Sequence, residues 1–186
     1  ATPRAAPALA LDGPANADFE DGVREWEVSR GRMTLEPVLE GFGMSLVLTA
    51  TGATTAWVEQ RIAGVTPGGW YEASVVLAPF DGVEAAWLRI AWYASEDASG
   101  AQIATADSPV VASPPRNAMS YAFQVVGTGP VLAPDDARSA RVRILLRPGD
   151  AAGASVAIDD VRFGETDPIE SAPPAAPAVA STPPPA

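Results

Sequence analysis

Trp57, Glu59 and Arg61 fall at alternate positions of one apolar run, and Trp87, Arg89 and Tyr93 fall on one alternation of another, with Ala91 between the last two. In a strand every second side chain shares a face. Each run would therefore present rings beside charged groups on one side. Indole and phenol rings stack on the apolar C–H face of a sugar, and flanking polar groups bond its hydroxyls. The pattern fits an aromatic surface for a glycan. It also fits a purely structural use, because a sandwich of this size needs several large aromatics to fill its core. Trp26, Trp92 and Phe123 are assigned to that core, and Trp70, beside the turn Pro67–Gly69, reads as an edge anchor.

Other chemistries are closed off by composition. The 186 residues include no His and no Cys. Disulfides, zinc held by His or Cys, thiolate nucleophiles and a Ser-His-Asp triad are therefore excluded. All twelve basic residues are Arg, against 23 acids, for a net charge of −11. Such a chain repels phosphate backbones and anionic headgroups, so neither nucleic acid nor a membrane surface is an expected partner. No run reaches the roughly 18 apolar residues of a membrane helix. Glycoside hydrolysis needs two carboxylates about 5–9.5 Å apart. Among 23 acids such a pair arises by chance, so the reading is a protein that is not an enzyme.

The elements that must carry these residues read as strands. Nineteen prolines and sixteen glycines disfavour helices. Short runs rich in Val, Ile, Thr and aromatics lie between turn signals such as Thr66-Pro67-Gly68-Gly69, Asp81-Gly82, Ser99-Gly100 and Pro148-Gly149-Asp150. Strands are expected at 26–28, 33–39, 45–49, 56–62, 70–78, 85–93, 120–126, 140–146 and 155–163. Alternation sets Leu88, Ile90 and Trp92 against Trp87, Arg89, Ala91 and Tyr93. It sets Val142, Ile144 and Leu146 against Arg141, Arg143 and Leu145, and Val58 and Ile62 against Trp57, Glu59 and Arg61. The expected class is all-β, a two-sheet antiparallel sandwich. Residues 16–166 form that domain. Residues 1–15 form an Ala/Pro-rich extended arm, and 167–186 a Pro/Ala-rich tail of polyproline character.

Three segments carry a family resemblance. Asn16-Ala17-Asp18-Phe19-Glu20-Asp21-Gly22, followed by Trp26, resembles the N-G-x-F-E opening of carbohydrate-binding modules of the family 4, 9 and 22 type, with Ala17 in place of the usual Gly. Gly43–Leu48, then Trp57, Gln60-Arg61-Ile62 and Thr66–Tyr71, is similar to their next strands. Val156-Ala157-Ile158-Asp159-Asp160-Val161-Arg162-Phe163 resembles their closing strand. The resemblance spans roughly residues 16–164 and implies a galactose-binding-like jelly roll. It also implies one structural calcium ion. Glu20 and Asp159 would be its carboxylate ligands, joined by a carbonyl near Ala17 and another near Glu40 or Gly41. Calcium takes six to eight oxygens, and here it would clamp the chain start to the last strand.

The arms suggest assembly. Ala8-Leu9-Ala10-Leu11 is an apolar run between Pro7 and Pro14 with nothing local to bury it. Leu9 and Leu11 would share one face of a short strand and add to a sheet edge of another copy, with Ile169 and Val179 as a second contact. Head-to-tail contacts of this kind build filaments. The leading expectation is thus a secreted structural protein, a subunit of a surface filament or layer whose partners are copies of itself. The alternative is a carbohydrate-binding module that takes a poly- or oligosaccharide on Trp57, Glu59, Arg61, Trp87, Arg89 and Tyr93. The chain begins at Ala1 without Met or an apolar leader and reads as a mature exported product.

Overall fold

A computed structural model describes residues 13–38, 43–113, 122–149 and 153–168. These form eleven strands and no helix: β1 (Glu27–Ser29), β2 (Gly31–Glu36), β3 (Ser45–Ala50), β4 (Ala56–Ala63), β5 (Trp70–Pro79), β6 (Val83–Tyr93), β7 (Gln102–Asp107), β8 (Gln124–Gly127), β9 (Val131–Leu132), β10 (Ser139–Pro148) and β11 (Ser155–Glu165). The first sheet has the order β1-β4-β10-β6-β7. The second has the order β2-β3-β11-β5-β8, with β9 also pairing to β5. Every pairing is antiparallel. The expected all-β sandwich is the fold.

Alternation decides what each sheet buries. In the first sheet Ile144 lies between Val58 and Leu88, and Val142 between Gln60 and Ile90. Their side chains enter one core with Leu46, Leu48, Val75, Leu77, Val156 and Ile158 of the second sheet. Tyr71 stacks on Phe163 at 5.3 Å and meets Trp92 edge-on at 5.4 Å. Trp26 packs on Phe19 and donates its indole N–H to the Asn16 carbonyl at 3.2 Å. Trp26 and Trp92 thus fill the core as expected. Phe123 does not. It lies half-buried in a separate cluster with Val47, Ala78 and Ala157. Val126 of β8 enters the main core, and a residue three places away falls on the opposite side of an extended chain.

β7 and β9 were not expected. β7 reads Gln-Ile-Ala-Thr-Ala-Asp and is half-buried only at Ala104 and Ala106, so it lacks a hydrophobic alternation. β9 has two residues. The run expected at 120–126 is a strand only over Gln124–Gly127 among the described residues. β11 continues to Glu165 through a register shift between Asp159 and Arg162, where Asp160 has φ +44°. Such a bulge bends the strand and re-aims its side chains. Leu9, Leu11, Ile169 and Val179, expected to mediate assembly, lie outside the described residues, as do Glu40 and Gly41.

Candidate functional site

The outward face of the first sheet is ordered in rows by register. Trp57, Leu145 and Trp87 form one row across β4, β10 and β6. The next holds Glu59, Arg143 and Arg89, extended by Glu27 on β1 and Asp107 on β7. Arg61, Arg141 and Ala91 form the third, and Ser139 beside Tyr93 belongs to the fourth. All six residues singled out for a ligand surface therefore share one face. Arg141, Arg143 and Leu145 stand between the two groups, because β10 inserts between β4 and β6. Their outward alternation was visible in the sequence, but strand order was not.

Glu59 is the electrostatic hub. It is only 6% exposed. One carboxylate oxygen accepts from Arg141 Nη1 at 2.6 Å and the other accepts from Arg143 Nε. Arg143 also donates to the Tyr93 hydroxyl at 2.8 Å and to Gln102 at 3.2 Å. Arg141 donates twice to the Ala98 carbonyl, at 3.0 and 2.7 Å. Buried charge survives only when paired and fully hydrogen-bonded, and this cluster meets that condition. Towards the edge, Arg89 and Asp107 form a bidentate pair at 2.6 and 2.7 Å. The Asp107 hydrogen bond holds the Arg89 guanidinium above its ordinary pKa. Exposed pairs at 3.3 Å join Arg61 to Glu27 and Arg147 to Glu84.

The aromatic rings of this face lie under guanidinium groups. Arg141 sits 5.0 Å from the ring of Tyr93, Arg147 5.5 Å from Trp87 and Arg30 5.6 Å from Trp57. Tyr93 and Trp87 are buried, at 3% and 7% exposure. Tyr93 therefore contributes chiefly its hydroxyl to the network. Trp57 is half-buried and is the more open indole. Its cover, Arg30, is exposed and makes no ion pair among the described residues.

A cleft of about 440 Å³ adjoins this face where β1 begins. β1 covers β4 only from Trp57 to Glu59. Ala15, Glu25, Glu27, Glu59, Gln60, Arg61 and Ala63 are among the lining residues. Glu27, Glu59 and Arg61 thus belong to both face and cleft.

The residues expected to hold calcium gather near the bulge of β11. Glu20 accepts the Met44 N–H at 3.1 Å. Asp159, half-buried, accepts the Ser45 hydroxyl at 2.9 Å and the Asp160 N–H at 2.8 Å. The Ala17 carbonyl accepts the Val161 N–H at 3.0 Å. Burial pushes the Asp159 pKa up, and the charges of Asp160 and Glu20 add to this against the two hydrogen bonds. No group of three or more acids suited to a metal occurs among the described residues. Glu20, Asp159 and the Ala17 carbonyl are oxygen donors of the type a hard cation takes. Each ionised carboxylate has acceptor capacity beyond the hydrogen bonds named, and a cation would relieve the repulsion between them.

No protein-family model matches the sequence, and no curated protein matches it. The fold has many solved counterparts. A xylan-binding domain of carbohydrate-binding module family 22 superposes with a TM-score of 0.59 at 18% identity, over 83% of this chain and 96% of that one. TmCBM61 in complex with β-1,4-galactotriose gives 0.53 at 14% identity, over 82% and 97%. The enzymatically active domain of bacteriophage CBA120 tailspike protein 4 gives 0.56 at 18%, where 82% of this chain covers 21% of that chain. The chain thus spans about a fifth of the tailspike domain and nearly the full length of the isolated modules. Its fold is the two-sheet antiparallel β-sandwich seen in these carbohydrate-binding modules.

Proposed function

We propose that this chain is a non-catalytic, exported carbohydrate-binding module that holds a poly- or oligosaccharide on the outward face of its first sheet. The observation that carries this reading is the convergence of Trp57 and Trp87 with Glu59, Arg61 and Arg89 on one face beside an open cleft. Trp57 is the stacking ring, and the charged rows supply hydrogen bonds to hydroxyls. The likeness in fold to modules that bind xylan and galactotriose supports the reading. In the same reading Glu20, Asp159 and the Ala17 carbonyl hold one calcium ion that ties the opening turn to β11. The ion's contribution there is to stability. The filament reading has no such support, because the four residues it rests on lie outside the described residues.

The test is a glycan array followed by affinity electrophoresis. A soluble polysaccharide should retard the protein, and Trp57→Ala should abolish the retardation while the circular dichroism and melting transition persist. If no glycan is bound by the folded protein, the reading fails.

A further inference from the structure

The face that carries Trp57 is rich in arginine on a strongly acidic protein. Arg61, Arg89, Arg141 and Arg143 project from it, and Arg30 and Arg147 lie over its indoles. Six of the chain's twelve arginines are thus collected on one sheet face. The carboxylates paired with them are Glu27, Glu59, Glu84 and Asp107. Six guanidinium groups thus face four ion-paired carboxylates, with Glu25 in the adjoining cleft, although the chain carries a net −11. Two guanidinium groups on the face lack a carboxylate of their own. One does so because Glu59, two places from Trp57 on β4, answers two guanidinium groups with a single carboxylate. The other is Arg30, which stacks on Trp57 and has no ion-pair partner among the described residues.

Arg30 is also held at a backbone cost. It is the single residue between β1 and β2 and has φ +57°. Gly or Asn takes that conformation far more readily. A long charged side chain there gains nothing for the turn, whereas its guanidinium reaches the open indole.

We infer that the ligand is an anionic glycan, one whose sugar rings carry carboxylates, as uronic acids do. Arg30, exposed and without an ion-pair partner among the described residues, moves off the indole to hold the carboxylate in planar, two-pronged hydrogen bonds, and the sugar ring stacks on the face of Trp57 that it uncovers. The remaining acids of the chain do not defeat this. At physiological salt the Debye length is about 8 Å, so distant charges are screened while the face acts at contact. This inference rests on the glycan-binding reading above and narrows its substrate class.

Affinity electrophoresis and calorimetry with polygalacturonate test it, against the same polymer with its carboxyls reduced to alcohols and against a sulfated galactan. Polygalacturonate should bind about tenfold more tightly than the reduced polymer, the size expected of a charge-assisted hydrogen bond. Arg30→Gln should erase that preference, leaving residual binding of both polymers and an unchanged melting temperature. Equal or better binding of the reduced polymer would overturn the inference and leave glycan binding itself intact. Binding of the sulfated polymer without the uronate would overturn the carboxylate assignment. Failure to bind any glycan would remove the inference together with the reading beneath it.

Discussion

The side-chain amide of Gln60 grips the peptide groups of Ala15 from both sides. Its oxygen accepts the Ala15 N–H at 2.6 Å and its nitrogen donates to the Ala15 carbonyl at 2.9 Å. A side chain thus does for residue 15 what a neighbouring strand would do, beside the stretch of β4 that β1 leaves uncovered. Gln60 is 6% exposed, whereas Ala15 is exposed, so the clasp is shielded from water on one side only.

Gln60→Leu should therefore cost about 0.5–1.5 kcal/mol, because water at the exposed Ala15 replaces part of what the amide supplies. Urea denaturation followed by tryptophan fluorescence measures this. An unchanged midpoint would show that the clasp contributes nothing.

Glu59 should be the most costly polar residue to replace. Glu59→Gln leaves two nearly buried guanidinium groups without their countercharge, a loss of about 3–5 kcal/mol. Replacing Glu59, Arg141 and Arg143 together by apolar residues should recover much of it, since the desolvation penalty goes with the charges. Denaturation of the single and triple variants separates these outcomes.

Asp107→Asn should behave differently despite the good geometry of its pair with Arg89. Its side chain is 41% exposed, and exposed pairs contribute about 0–1 kcal/mol. The loss should shrink further when melts are repeated in high salt.

Asp159 links stability to pH. Its carboxyl titrates above its ordinary value in the fold, mainly through burial. The folded chain therefore holds this proton more tightly than the unfolded chain. Its ionisation destabilises the fold as pH rises through the raised pKa, and the penalty is absent below the ordinary carboxylate value. In chelator, Asp159→Asn should match or exceed the parent's melting temperature at neutral pH. Calcium should raise the parent's melting point, by about 2.7 kcal/mol of stability at a hundredfold excess over Kd, and should leave Asp159→Asn unmoved. Parent melts identical in calcium and chelator would remove the ion.

Much of the fold was legible because β6 and β10 place large apolar residues at every second position, Leu88, Ile90 and Trp92 in one and Val142, Ile144 and Leu146 in the other, between turn signals. Trp57, Glu59 and Arg61 could be placed on the same side as Trp87 and Arg89 only by analogy, however, since pairing is not written in local pattern. The partners of Glu59 come from 82 and 84 residues away. Arg30 was invisible as a site residue because its position depends on where a single-residue crossing between sheets delivers its side chain. Asp107 was missed with β7, an edge strand too polar to announce itself.

The place of β10 and β11 has a kinetic meaning. They are the last strands among the described residues, yet β10 lies at the centre of one sheet, between β4 and β6, and β11 lies between β3 and β5 in the other. A nascent chain emerging from the ribosome holds the outer strands of both sheets long before it holds the strands that join them. Neither half of the sandwich can form early. Assembly waits for residues near Glu165, and the long loops that must then close place this domain among the slow folders, on the order of milliseconds to seconds.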